Sequence, residues 1–204
     1  MNKNLQSDPI TGWPARLYTR LMAILGVRSV YLHAVSLLHT KPHDRVLDVG
    51  CGTGTFLKLL EEHAGMSLSL VGVDASEDML REARARVPVQ STITFADAAN
   101  LPFPDRSFDH AVSILSFHHM PAGIKIRAIQ ELARVVKKGG EVLIVDMARP
   151  VSFWGNLVSF YLNFHSHTRG NWQFVRLELP RWGFTALREE TKRGVVGFLT
   201  VRLA

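Results

Sequence analysis

The stretch VLDVGCGTGTFLKLL, residues 46–60, sets three glycines, Gly50, Gly52 and Gly54, within five positions between an apolar run and a helical pattern. Glycine enters left-handed backbone conformations without steric cost, so this cluster predicts a tight turn whose main chain lies close to something else. The run before it, RVLDV (45–49), reads as a strand, and 53–63 reads as a helix. The spacing is G-x-G-x-G, one residue short of the G-x-G-x-x-G of dinucleotide loops, which seat a pyrophosphate on a helix N-terminus. Asp48 stands just before the turn. A carboxylate there repels a pyrophosphate and favours a ligand that carries positive charge.

Outward from this loop, β-branched runs alternate with helical patterns. LSLVGVD (68–74), STITFA (91–96), FDHAVSIL (108–115) and EVLIVDM (141–147) read as further strands, and 76–87 and 121–137 as helices. SEDML opens the second helix with a serine cap and acids in its first turn, and KKGG closes the third with basic residues and glycine. Such alternation predicts a parallel sheet with right-handed crossovers and helices on both faces. The near-continuous apolar character of the strands predicts cover on both sides. At the end, FTALREET (184–191) and VVGFLTVRLA (195–204), joined through Gly194, read as an antiparallel hairpin. The expected fold is α/β: a single doubly wound, Rossmann-like, seven-stranded and mostly parallel sheet with a C-terminal antiparallel hairpin and a helical cover.

The 204 residues include 47% hydrophobic and 21% charged side chains, which suits a globular chain and excludes a disordered one. A single cysteine, Cys51, forbids an internal disulfide and fits a reducing compartment. The first dozen residues have no signal-peptide core, and LMAILGV is too short to cross a bilayer, so the expectation is a cytoplasmic protein. The net charge of +6 comes from the flanks: residues 1–45 hold six Lys/Arg against two acids, and 151–204 hold seven against three. The middle, with eleven against thirteen, is mildly acidic. Residues 14–39 read as helical, with Gly26 as a break, and 151–165 are rich in aromatics. Neither belongs to the strand–helix alternation. The expected organisation is therefore an N-terminal helical cover (1–43), a core (44–150), and cover helices with the closing hairpin of the same domain (151–204).

Two further acids narrow the ligand. Asp74 ends the second strand, where a carboxylate can accept hydrogen bonds from both hydroxyls of a ribose. Asp97 follows the third strand in ITFADAANLPFPD, placed to accept from the exocyclic amine of an adenine, although an ordinary turn aspartate reads the same way. Together with Asp48 they describe a nucleoside with a cationic, non-phosphate tail. The succession VLDVGCGTG, VGVDASEDML, FADAANLPFPDRSFDHAV and ELARVVKKGGEVLIVD resembles the class I S-adenosylmethionine-dependent methyltransferases over about residues 44–149. Within them it is most similar to the small-molecule branch of ubiquinone/menaquinone C-methyltransferases and phospholipid N-methyltransferases. The resemblance implies S-adenosylmethionine as cofactor. It places Asp48, Gly50 and Gly52, with Cys51 and Gly54 in the same loop, around the methionine part. It places Asp74 at the ribose, Ala75, Met79, Asp97 and Ala98 at the adenine, and the main chain near Ile114 at the sulfonium end.

A methyl group on a sulfonium is already activated, so an amine acceptor need only arrive neutral, whereas a phenol or aromatic carbon needs a base. His118 and His119, in LSFHHMP, and Asp146, in VLIVDMARP, are the candidate bases, with hydrogen-bonded packing as the plainer role for each. No histidine–cysteine spacing suggests a metal. The stretch SILSFHH replaces the Asn/Asp-Pro-Pro-Tyr signature of adenine and glutamine-amide methylation, and no basic arm is appended, so nucleic acid is not an expected partner. The aromatics Trp13, Tyr18, Tyr31, Phe153, Trp154, Phe160, Tyr161, Phe164 and Trp172 suggest an apolar cover. With Arg16, Arg20, Arg28, Arg169 and Arg176, they suggest a cover that meets an anionic membrane surface and a lipid-like acceptor, a quinone precursor or phospholipid amine. Simple packing of the cover onto the sheet explains the same residues. A soluble metabolite O- or N-methyltransferase and a catalytically silent, cofactor-binding regulatory subunit are the alternatives. The sequence specifies no oligomeric state.

Overall fold

The computed structural model describes residues 27–148, 170–192 and 195–204. The helical expectation over 14–26, Gly26 included, lies outside them. So do the whole aromatic segment 151–165, Arg169, and the hairpin turn at Gly194.

Helix α1 (Arg28–Leu37) leads into β1 (Arg45–Val49), α2 (Thr55–Ala64), β2 (Ser69–Asp74), α3 (Glu77–Arg86) and β3 (Thr92–Phe95). The chain then returns through β4 (Phe108–Ile114), a 3-10 turn (Phe117–His119), α4 (Ala122–Val135) and β5 (Val136–Met147). Helix α5 (Asn171–Glu178), a 3-10 turn (Leu179–Trp182), β6 (Phe184–Lys192) and β7 (Val196–Leu203) complete it. The seven strands lie in the order β3-β2-β1-β4-β5-β7-β6. The first five are mutually parallel, and β7 enters antiparallel between β5 and β6. The strand order reverses between β1 and β4, which is where ligands seat in open α/β sheets.

Alternate residues of each strand feed two apolar layers. Val46, Leu70, Val112 and Leu143 meet Ala34 of α1 and Phe56, Leu57 and Leu60 of α2 on one face. On the other face, Leu47, Val71, Ala111 and Val142 meet Ile129 and Leu132 of α4 and Trp172 and Val175 of α5. The cover on both faces holds for the central strands only. Edge strand β3 is half-exposed, with Phe95 at 55% exposure, and β6 is largely exposed.

Ser76 caps α3 as its position implies, its Oγ accepting from Met79 N, with Glu77 and Asp78 in the first turn. The close of α4 differs from expectation. The helix ends at Val135, and Val136 pairs at once with Phe108 of β4, so Lys137, Lys138, Gly139 and Gly140 belong to β5. Of the expected cover, Trp172 is buried against Gly197 and donates from Nε1 to Glu189, while Arg176 pairs with Glu189 at 3.1 Å. Both knit α5 to the hairpin; Trp172 is buried there, while Arg176 stays half-exposed. No helix among the described residues is long and apolar enough to cross a membrane.

Candidate active site

The loop after β1 turns through Gly50, Gly52 and Gly54, all at positive φ. What approaches Gly50 is protein: a Cβ there would lie 2.1 Å from Ser116 Oγ, so the end of β4 closes onto the loop. Gly54 is packed against Val87 and Ala83 of the α3 end in the same way. Only at Gly52 would a side chain enter open space. The loop amides are also committed. Gly50 N and Cys51 N donate to Val73 O at 2.8 and 2.9 Å, Gly54 N donates to Cys51 O, and Gly52 N donates to Asp74 Oδ2 at 2.9 Å. Strand β2 thus takes the Gly50, Cys51 and Gly52 N–H groups, and the loop itself takes that of Gly54. Donors so engaged are not offered to a phosphate, which is held by free N–H groups.

Beside this loop, at the carboxyl ends of β1 and β4, lies an open cavity. Val49 to Thr53 form one wall, Asp74, Ala75, Ser76 and Met79 a second, and Ala96 and Ala98 a third. Ile114, Leu115, Ser116, His119 and Met120 close the side beyond β4, and Tyr31 of α1 closes the top. Among the expected residues, Gly50, Cys51, Gly52, Asp74, Ala75, Met79, Ala98 and Ile114 line this cavity. Asp48, Gly54 and Asp97 stand behind the wall. Asp97 makes the turn bond, accepting from Ala99 N at 2.9 Å.

Leu115 and Ser116 carry no signal of their own in the sequence, Ser76 reads there only as a helix cap, and Tyr31 only as a cover aromatic. Leu115 sits at φ 54, a left-handed conformation rare outside glycine, held by its N–H donating to Val145 O at 2.7 Å.

Two acids set the field. Asp74 accepts from Gly52 N and Ser76 N, each at 2.9 Å, so it fastens the loop to the β2 end as well as facing the cavity. Burial pushes its carboxyl above the ordinary range, and these backbone bonds pull against that rise. Asp48 is buried, with Oδ1 unpartnered; burial, reinforced by the charge of Asp74, pushes it up to about 8. A buried carboxylate oxygen with no donor fits a cationic group. The Cys51 thiol is pushed well up by burial and then by Asp48 and Asp74, so it stays protonated and is no nucleophile.

Beyond β4 the three candidate bases come together, and of them only His119 lines the cavity. Asp146, wholly buried at the end of β5, accepts from His118 N at 2.9 Å and Met147 N at 2.7 Å, and its Oδ1 lies 2.6 Å from His118 Nδ1. Burial pushes Asp146 up, but His118 and these donors outweigh it and hold the carboxyl below its usual range. The His118 and His119 rings lie with centroids 3.9 Å apart. Burial, then the neighbouring His118, pushes His119 down to about 4, so it is neutral at physiological pH. Among the described residues no cluster of His, Cys, Asp or Glu is arranged to hold a metal ion.

A methyltransferase-domain family model matches residues 46–140. An uncharacterized methyltransferase of Synechocystis is 30% identical over 190 residues, 89% of this chain and 87% of the relative. The chain belongs to the class I S-adenosylmethionine-dependent methyltransferases. Its cofactor is accordingly S-adenosylmethionine. A demethylmenaquinone methyltransferase of Desulfitobacterium hafniense is 38% identical over 122 residues, 57% of this methyltransferase. That match spans about half of the relative, 47% of its length. In fold, the methyltransferase is similar to a chain of the complex between the Haloferax volcanii Trm112 methyltransferase activator and a methyltransferase. There the TM-score is 0.77 and the identity 18%, over 96% of both chains. It is also similar to magnesium protoporphyrin IX methyltransferase from Synechocystis with SAH bound, with TM-score 0.68 and 21% identity over 88% of this chain and 84% of that one.

Proposed function

We propose that this chain transfers the methyl group of S-adenosylmethionine to a small, apolar acceptor of the quinone-precursor class. The observation that carries the reading is electrostatic. The cavity has one acid, Asp74, at its wall and a second, Asp48, behind it with an orphaned buried oxygen, beside a loop whose Gly50, Cys51, Gly52 and Gly54 amides are already bonded. When bound there, the cofactor supplies a methyl already activated on a sulfonium.

The chain's residues do the rest. Asp48 faces the positive charge of the methionine part from behind the loop of Gly50, Cys51 and Gly52. Asp74 accepts backbone bonds from Gly52, Ser76 and Ala75, and the lone-pair capacity its two oxygens keep beyond these can take a ribose hydroxyl. Ala75, Met79 and Ala98 form an apolar slot for the adenine, with Asp97 at its rim. Gly54 serves the packing of the loop on α3 rather than contact. Ile114 and Leu115 bring the β4 main chain to the sulfonium end. Neutralising a sulfonium as the methyl leaves is favoured by an apolar wall, which Ile114 and Met120 provide.

For the acceptor, the support is the likeness to demethylmenaquinone methyltransferases. Purified protein is expected to give binding heat with S-adenosylmethionine and none with a nicotinamide dinucleotide. Labelled cofactor is expected to pass its methyl to a demethylated, prenylated naphthoquinol in detergent. Label passing only to phospholipid amines or polar metabolites overturns the quinone reading, and heat with the dinucleotide alone overturns the cofactor site.

A further inference from the structure

Beyond the cofactor contacts, the site holds a buried acid and an imidazole for which cofactor binding has no use. Asp146 has no exposed surface, while the His118 side chain keeps 11%. His118 is the titratable side chain hydrogen-bonded to this carboxylate, and it is the more exposed of the pair. The ionised carboxylate can only accept, so Nδ1 of His118 carries the ring proton toward it, and in the neutral ring Nε2 is left with a lone pair. A carboxylate behind an imidazole fixes its tautomer and stabilises the cation that forms when it takes a proton. His118 Nδ1 and its backbone N–H both bind Asp146, so the ring is held from two points. The His118 ring touches that of His119, centroids 3.9 Å apart and planes inclined at 43°, and His119 lines the cavity.

We propose that His118, oriented by Asp146, removes a proton from the acceptor, so the acceptor carries a weakly acidic hydroxyl. This deepens the methyl-transfer reading and rests on it. Asp146 is a positioning residue, and His119 is the neutral wall across which the hydroxyl reaches His118, directly or through one water. The groups facing His118 are Asp146 from β5 and His119 from its own turn; Lys125 of α4, whose charged form burial disfavours, acts on Asp146 and His119 in turn.

In the step, the hydroxyl O–H breaks and its proton passes to Nε2. The oxygen, or the ring carbon its electrons reach, forms the bond to the methyl carbon, while the carbon–sulfur bond breaks and leaves its pair on sulfur. On carbon, the displaced ring hydrogen then departs as a proton and the oxygen recovers its own. Either way one proton is released per methyl transferred. A neutral amine has no use for this machinery, because its lone pair attacks directly.

The test compares a naphthol with a naphthylamine of the same skeleton, in the wild type and in His118→Asn and Asp146→Asn. His118→Asn is expected to lower kcat/KM for the naphthol by about 10²–10⁴-fold while changing the amine less than tenfold. Asp146→Asn is expected to lower the naphthol rate and move the acidic limb of its pH profile, with cofactor affinity by calorimetry unchanged. Equal losses on both acceptors, or none, overturn the inference. Failure of the wild type to bind the cofactor or to methylate either acceptor instead overturns the function itself. Should Asp146→Asn not fold, the ring tautomer of His118 in the wild type, read from its ¹⁵N shifts, decides: Nδ1–H supports the proposal and Nε2–H overturns it.

Discussion

Asp48 is the residue on which pH acts with opposite signs. Its carboxyl, pushed up to about 8 by burial and by Asp74, is neutral in the folded chain over a range where the unfolded chain has it ionised. Between about pH 4 and pH 8 the folded state holds a proton that the unfolded state has lost. The stability this supplies is complete below the unfolded value and disappears as pH rises through the folded one. Asp48→Asn removes that slope, so the variant is expected to outlast the wild type in thermal melts at pH 8.5, by on the order of a few kcal/mol, with little difference near pH 4. Cofactor binding runs the other way. A positive ligand draws the proton from Asp48, so affinity is expected to rise with pH up to about 8 and binding to release a proton. Calorimetry in two buffers of different ionisation enthalpy reads that proton. An affinity independent of pH, or one that Asp48→Asn leaves intact, shows that the charge does not reach Asp48.

At the scale of elements, the sharpest contact is between α5 and β7. A Cβ on Gly197 would stand 2.5 Å from the Trp172 ring, whose Nε1 is tied at 3.0 Å to Glu189 of β6 and cannot easily turn away. Gly197→Ala is expected to cost about 1–3 kcal/mol by overpacking. Adding Trp172→Leu is expected to recover part of that loss, a coupling that a double-mutant cycle of denaturant midpoints measures. Strict additivity would mean that the two elements slide apart to make room.

The same elements show what was legible. Strand β1 and the glycine loop stand where RVLDV and GCGTG imply, because β-branched runs and clustered glycines are local signals. The Asp74, Met79, Ala98 and Ile114 positions followed from motifs attached to strand ends, and all four reach the cavity. What failed to show was non-local. KKGG reads as a helix close, yet pairing of Val136 with Phe108, 28 positions upstream, draws it into the sheet. The loop amides read as free until Val73 O and Asp74 claim them. Nor does any local pattern announce that Ser116 fills the space over Gly50, or that His118 and Asp146, on different strands' ends, share a proton.

At the scale of the whole molecule, α1 and the C-terminal hairpin meet beside the site made by the chain's middle. Helix α1 packs on α2, and His33 from α1 bonds Glu190 of β6 while lying edge-on to Phe198 of β7, ring centroids 4.8 Å apart. Lys192 Nζ, also from β6, donates to Ser29 O. Tyr31, two residues from His33, closes the cavity, so the hairpin sets where this wall stands. Partial burial pushes Glu190 up, but His33 and Arg188 hold its carboxyl below the usual range, so it is a standing charge at the junction. Glu190→Gln weakens the clasp without touching the cofactor loop. Because both partners are about a quarter exposed, the loss is modest, about 1 kcal/mol after solvent screening. Cofactor Kd is expected to weaken several-fold, while the melting temperature falls only a few degrees. Arg188→Gln, which removes the more exposed partner of the same carboxylate, is expected to leave Kd unchanged. If Glu190→Gln also leaves Kd unchanged, Tyr31 is seated by α1 packing on α2 alone, and the C-terminal hairpin has no hold on the site.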